Sequence, residues 1–361
     1  MTPEFIPGLT LAELFYSQAA RPILEQYYPG LSYAAALIGW GSEVLGYDDV
    51  QSRDHHWGPR FLLLLSEQDS PCAADIATIL SAHLPTRFRG YSTHYGPPDS
   101  VGVRLAVDVE SGPVNHLIHI EPLRSFLDWY LGVNPLQELQ PADWLALSEQ
   151  KLLTVTAGRV FADTLGELTR VRSKLAYYPR NIWLYLLAAE WHKIAQEEHL
   201  VGRAGYAGDE LGAQLIAARL VHALMRLCFL MERRYPPYPK WFGRAFAETE
   251  AAKELSPFLR QALLSSAWRE REAHLSHAFE FVAAWHNALA LTPPLDAHVA
   301  PFYTRPYRVI NGDAFAEALR QAIDDPAVAA LPLTGSIDQF SDSTDLRSNA
   351  ALSNRLKGLW R

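Results

Sequence analysis

The chain has 361 residues, long enough for two domains, and its 49% apolar and 20% charged residues give a globular rather than a disordered balance. A formal charge of −8, from 32 basic and 40 acidic residues, offers no global field for a nucleic-acid backbone, so nucleic acid is not the expected partner. Two cysteines, Cys72 and Cys228, argue against a disulfide framework, and the lack of a charged start with a long apolar core, or of any run of ~18 apolar residues, predicts a soluble, cytoplasmic chain with no membrane partner.

In chain order, Leu9 to Tyr28 carries apolar residues at helical spacing, with Thr10 as an expected cap and Pro22 as a kink or restart. Leu31 to Trp40 and Arg60 to Ser66 (RFLLLLS) are apolar runs bounded by polar residues, and both read as buried strands. A helical stripe follows from Ala73 to Leu84, then alternating segments at Val101 to Val109 and Val114 to Ile120. The first part therefore predicts a mixed-sheet α/β domain over 1–133. Asn134 to Ala142, with Pro135 and Pro141, reads as a linker, and Leu152 to Arg172 as a β-hairpin turned by Gly158 and Gly166. Long apolar periodic segments at Asn181–His199, Asp209–Arg234, Pro257–Ala267 and Glu270–Ala290 predict a mainly helical domain over 134–361, closed by a C-terminal strap. The fold class expected is α+β.

The stretch Gly39 to Trp57, GWGSEVLGYDDVQSRDHHW, carries the chemistry. A Gly-Ser bend after a strand frees backbone N–H groups and a hydroxyl for a phosphate, which makes Gly41 and Ser42 the candidate phosphate residues. Eleven residues separate Ser42 from Asp54. On a strand leading into RFLLLL, Asp54 and His56 would point to one face and His55 to the other, so Asp54 and His56 are candidate metal ligands.

Gly-Ser, a gap of about a dozen residues, and an acidic residue followed two positions later by another ligand resembles the signature of the nucleotidyltransferase superfamily, the DNA polymerase β-like fold. The longer string GSEVLGYD…SRDHHWGPR, with YYPRNIWLY, RRYPPYPKW, AWHNAL and GSIDQFSDSTD downstream, is similar to an uncharacterised bacterial branch known as a domain of unknown function. The resemblance implies a Gly-Ser turn that holds a nucleoside triphosphate, and paired carboxylates that bind Mg²⁺ with a third on a later strand. It implies transfer of a nucleoside monophosphate to a hydroxyl of a small-molecule acceptor. By family position Asp108 or His119 supplies the third site.

One departure matters. His56 stands where the second carboxylate belongs, and imidazole is a softer, neutral ligand for a hard cation. Three outcomes stay open: one metal with other carboxylates (Mg²⁺ or Mn²⁺), a Mn²⁺ or Zn²⁺ site through His56, or nucleotide bound without turnover. A catalytically silent nucleotide-binding or scaffold protein is thus the alternative, and a Zn²⁺ hydrolase built from His55, His56 and a strand histidine is the third. Arg203, in a glycine-rich interruption, and Lys240, on a proline-constrained turn, are further candidates for nucleotide phosphate. The resemblance implies a carboxylate of the helical domain as general base, for which Glu197, Glu198, Asp209 and Glu210 are the local choices. Asp48 and Asp49 could contact metal-bound phosphate but read first as an ordinary turn, and His274 with His277, three apart as a metal pair would be, read first as core or surface histidines.

Overall fold

The computed structural model describes residues 4–51, 56–100 and 102–360, so Asp54, His55 and Val101 lie outside the described residues. The protein is α+β, and it divides into two units: Met1–Leu139 with Lys151–Ala176, and Gln140–Gln150 with Tyr177–Arg361.

In the first unit, α1 (Gly8–Phe15) runs through a π-helical turn (Tyr16–Ala20) into α2 (Arg21–Tyr27), where Pro22 occupies the permissive first turn. Thr10 is not the cap. Pro7 precedes the helix, and the Gly8 N–H donates instead to Asp48 Oδ2 at 2.7 Å. Strand β1 (Tyr33–Leu37) pairs antiparallel with β2 (Arg60–Leu65), which is followed by α3 (Ala73–His83) and the short pair β3 (Arg87–Phe88) and β4 (Tyr91–Ser92). β5 (Leu117–Pro122) lies parallel to β2 and leads directly into α4 (Leu123–Tyr130).

Two sequence expectations fail here. Residues 102–109 form no named strand: their pairing stops at a single bridge between Tyr95 and Ala106, with the Gly96 N–H donating to the Leu105 carbonyl and the Val107 N–H to the His94 carbonyl, each at 2.9 Å. Nor is 152–172 a hairpin. It is the end of α6 (Glu149–Thr156), then β6 (Arg159–Asp163), then α7 (Glu167–Lys174). Gly158 does mark a turn, at φ 67°, but β6 pairs with the distant β1 rather than with a neighbour. That pairing brings Lys151–Ala176 into the first unit, so the boundary is not a single cut at 133/134.

The sheet order is β5-β2-β1-β6. β1 and β2 are central and buried along their whole length, which is why their sequences are continuous apolar runs instead of alternating ones. Phe15, Tyr16, Phe61, Leu63, Ile76 and Leu80 build one core layer, and α4 buries Phe126 and Leu127.

The second unit contains α5 (Pro141–Ala146) and the start of α6, then α8 (Arg180–Glu197), α9 (Leu200–Tyr206), α10 (Glu210–Met231), α11 (Pro239–Ala247), α12 (Glu250–Leu264), α13 (Trp268–Ala288) and α14 (Gly312–Gln321). α12 begins at the Thr249 cap, not at Pro257, which sits inside it. Among the described residues α10 alone is long and apolar enough to cross a bilayer, and most of that stretch is buried within the unit. The expected strap is a plug: Glu149 N–H donates to Asp338 Oδ2 at 2.8 Å, Gln339 Nε2 to Glu190 Oε2 at 2.7 Å, and Trp360 Nε1 to the Gly335 carbonyl at 3.0 Å. Arg226 meets Glu149 at 2.8 Å and Glu190 at 3.5 Å inside the same buried cluster. Burial pushes the Glu149 carboxyl up to about 7, against the pull of Arg226.

Candidate functional site

β1 ends at Leu37, and the chain turns through Gly39 (φ 88°) and Gly41 (φ 113°), conformations that only glycine adopts freely. Gly39 N–H is anchored on the Thr154 carbonyl at 2.9 Å. Ser42–Leu45 then forms one 3₁₀ turn, which tucks Glu43 beneath the bend.

There Glu43 meets Arg60, the first residue of β2. Arg60 Nε donates to Glu43 Oε1 at 3.0 Å, and its NH2 group donates to the same oxygen at 2.5 Å and to the Trp40 carbonyl at 2.7 Å. Both side chains are about 96% buried, so the pair exchanges its hydration for these bonds. A Cβ on Gly41 would fall 2.5 Å from both Arg60 NH2 and Glu43 Oε2. Glycine is therefore required here to admit the ion pair, whatever else the bend holds. Among the described residues neither the Gly41 and Ser42 amides nor the Ser42 hydroxyl has a hydrogen-bond partner.

Beside this bend lies a hollow of about 300 Å³ lined by Trp40, His56, Arg60, Arg104, His116 and His119 among others. Arg104 is held by carbonyls, with Nε 3.0 Å from Gly96 O and NH2 3.4 Å from Tyr95 O and Asn115 O. Among the described residues it has no carboxylate partner. Arg60 is neutralised by Glu43, so the described charges leave the hollow cationic. That suits an anion.

The histidines differ. His116 is held neutral: Nδ1 accepts from the Ile118 N–H at 3.2 Å, Nε2 donates to the Ala77 carbonyl at 3.1 Å, and burial lowers its pKa. Both ring nitrogens are thus engaged. His119, on β5, lies 2.6 Å from Glu121 Oε1, which also accepts from Trp129 Nε1 at 2.9 Å. His56 lines the hollow but is not on a strand. It sits in a bend at φ 49°, and β2 starts only at Arg60, so strict strand alternation does not govern its direction.

Asp108 is placed elsewhere, exposed and 2.5 Å from Arg87. Asp48 accepts from Gly8 N–H and from Trp57 Nε1 at 3.0 Å, a structural role. Asp49 accepts from the Gln51 N–H at 2.8 Å, as an ordinary turn does. In the second unit Arg203 and Lys240 are both exposed, Lys240 with its ammonium 4.7 Å from the Trp241 ring. The four candidate bases are committed there: Glu197 to Arg219, Glu198 to the Ile310 and Gly312 amides, Asp209 to capping Gly212, and Glu210 to Arg271. Burial raises Glu198 to about 7 despite those amides.

Among the described residues no three His, Cys, Asp or Glu side chains converge as metal ligands. Glu43, in the turn after the bend, and Glu121, on β5, are both engaged, by Arg60 or by His119 and Trp129. Guanidinium and imidazole do not suit Mg²⁺, which demands hard oxygen ligands. The described part of the hollow therefore does not fit the metal implied by the resemblance.

Sequence reading missed Glu43, Arg60 and Arg104. The first two had a signal, since an arginine heading an entirely apolar strand must find a buried acid, and Glu43 is the acid inside the preceding Gly-Ser turn. Arg104 had none. Lys151 was also missed: it is buried at the start of the α6 segment, 5.6 Å from the Tyr130 ring, and burial pushes its ammonium down to about 8.

The family described as "Domain of unknown function (DUF4037)" matches residues 144–242, which span α5 to α11 and include none of the residues lining the hollow. No curated protein matches the chain. Among solved structures the chain is similar to a nucleotidyltransferase-like protein from Exiguobacterium sibiricum, at 13% identity and a TM-score of 0.34, over 79% of this chain and 82% of that one. The family match agrees with the resemblance to a domain of unknown function, while a structural likeness of this size carries no argument and leaves the site to its own geometry.

Glu43→Gln should cost about 3–5 kcal/mol, because it strands the Arg60 charge. Glu43→Leu combined with Arg60→Met should recover most of that. Urea unfolding measures both, and a loss below about 1 kcal/mol in the single variant would show that the pair does not hold the bend. For Lys151 the folded pKa lies below the unfolded one, so its cost is full below about pH 8 and disappears as pH rises toward the unfolded value. Lys151→Met should accordingly stabilise the protein at pH 7, by up to about 3 kcal/mol, with the gain shrinking between pH 8 and 10. A gain independent of pH in thermal melts would contradict this.

Proposed function

We propose that the first unit is a nucleotidyltransferase-like domain that takes the polyphosphate of a nucleoside triphosphate into the hollow beside the Gly41 bend. The observation that carries this reading is Arg104, a half-buried guanidinium held only by carbonyl oxygens and facing the same hollow as Arg60. Carbonyl bonds fix its fork without neutralising it, which leaves the charge for a ligand anion. The bend's unpaired Gly41 and Ser42 amides add neutral donors close by.

The reaction this site would serve is transfer of a nucleoside monophosphate to a hydroxyl of a small-molecule acceptor, with pyrophosphate leaving. It depends on Asp54 and on a divalent cation, Mg²⁺ or Mn²⁺, for which the described residues supply no hard-oxygen set. For that reason a second reading stands beside the first: a protein that binds nucleotide without turning it over. It is favoured by the engagement of Glu43 and Glu121 in ion pairs and hydrogen bonds.

Calorimetry with ATP, CTP, GTP and UTP, each with and without Mg²⁺ or Mn²⁺, should detect binding to at least one of them. Arg104→Ala should weaken it about tenfold or more, the worth of a charge-assisted bond. Pyrophosphate release that disappears in Asp54→Asn supports the transferase; binding without release supports the silent form. Absence of binding by every nucleotide would overturn both.

A further inference from the structure

Resting on that phosphate reading, the geometry points to a second half of the same site: a stacking wall for a nucleobase, made by Trp40 and Trp129 with His119 packed against both. Arg104, the guanidinium without a carboxylate partner among the described residues, lines the same hollow as Trp40 and His119. From Trp40 the aromatic surface continues to His119 at 6.0 Å and to Trp129 at 5.7 Å, and His119 and Trp129 are themselves 6.1 Å apart. Cationic and aromatic surfaces are therefore contiguous, in the order that a nucleotide presents its phosphate and its ring.

Trp129 is the telling residue. It is 47% exposed, which is unusual for a large ring, yet it is not free to swing. Its indole N–H donates to both oxygens of Glu121, at 2.9 and 3.0 Å, and Tyr130 stacks on Phe126 behind it at 5.2 Å. A ring fixed by its polar edge with exposed surface is preorganised for stacking, because little rotamer freedom remains to be lost on binding. Glu121 also gives the wall a direction. Its carboxylate repels phosphate at the aromatic end, while Arg104 attracts it at the other, so a nucleotide has one favourable orientation.

The helix α4 explains how the sequence builds this. Leu123, Phe126 and Leu127 face the core, and the same turn of helix that buries them puts Trp129 on the open side, directly after the strand that carries His119 and Glu121. Neither a phosphate site nor the core requires an exposed indole at that position.

The test compares ATP with inorganic tripolyphosphate, each titrated by calorimetry into the full chain. Trp129→Ala should weaken ATP about tenfold, the scale of one base-aromatic stack, and leave tripolyphosphate unchanged. Trp129→Phe, which keeps a ring, should recover most of the loss, and circular dichroism melts confirm that both variants fold. ATP should also quench tryptophan fluorescence in the wild type where tripolyphosphate does not. Equal weakening of both ligands, or no change in either, overturns the stacking wall while leaving the phosphate site intact. If wild type binds neither ATP nor tripolyphosphate, the phosphate reading itself fails, and the wall with it.

Discussion

The first unit is organised around the buried ion pair between Glu43 and Arg60. Two chain segments that leave the sheet at different places, the bend after β1 and the head of β2, are fastened by three short bonds to one guanidinium. Everything proposed for this unit lies within reach of that fastening. It fixes the Trp40 carbonyl, demands glycine at position 41, and points Arg60 into the hollow that Arg104 shares. A buried pair of this kind adds little net stability over an apolar substitute, but it is intolerant of losing one partner. Its value here is positional, since it holds a polar bend at the edge of an apolar sheet.

Much of the fold was legible because burial writes itself into sequence pattern. The continuous apolar runs of β1 and β2, the amphipathic stripe of α3 and the long helices of the second unit all follow from which faces must be dry. The failures share one cause: partners distant in sequence. Residues 159–163 look like half of a local hairpin, yet they pair with β1 more than a hundred residues earlier. Residues 102–109 alternate like a strand, yet their pairing with residues 94–96 ends at one bridge.

The site was legible in part. Gly41 and Ser42 form the bend beside the hollow, and His56 and His119 both line it. What the sequence does not show is charge balance. Whether an arginine is neutralised by a neighbour, like Arg60, or left available, like Arg104, depends on contacts between residues far apart in the chain. Asp108 looked like a ligand for the same reason that Arg104 was overlooked: a residue type alone does not reveal its partner. The match of a family to residues 144–242 falls mainly on helices of the second unit, but it also takes in Thr154, whose carbonyl anchors Gly39, and β6, which pairs with β1.

Two-dimensional NMR of the isotope-labelled full chain, observing backbone amides and arginine Nε–H groups during titration with a nucleoside triphosphate, tests the central claim most directly. Perturbation concentrated at Gly41, Ser42, Arg60 and Arg104 is the predicted result. A saturable titration that leaves those four signals in place and moves others would contradict it.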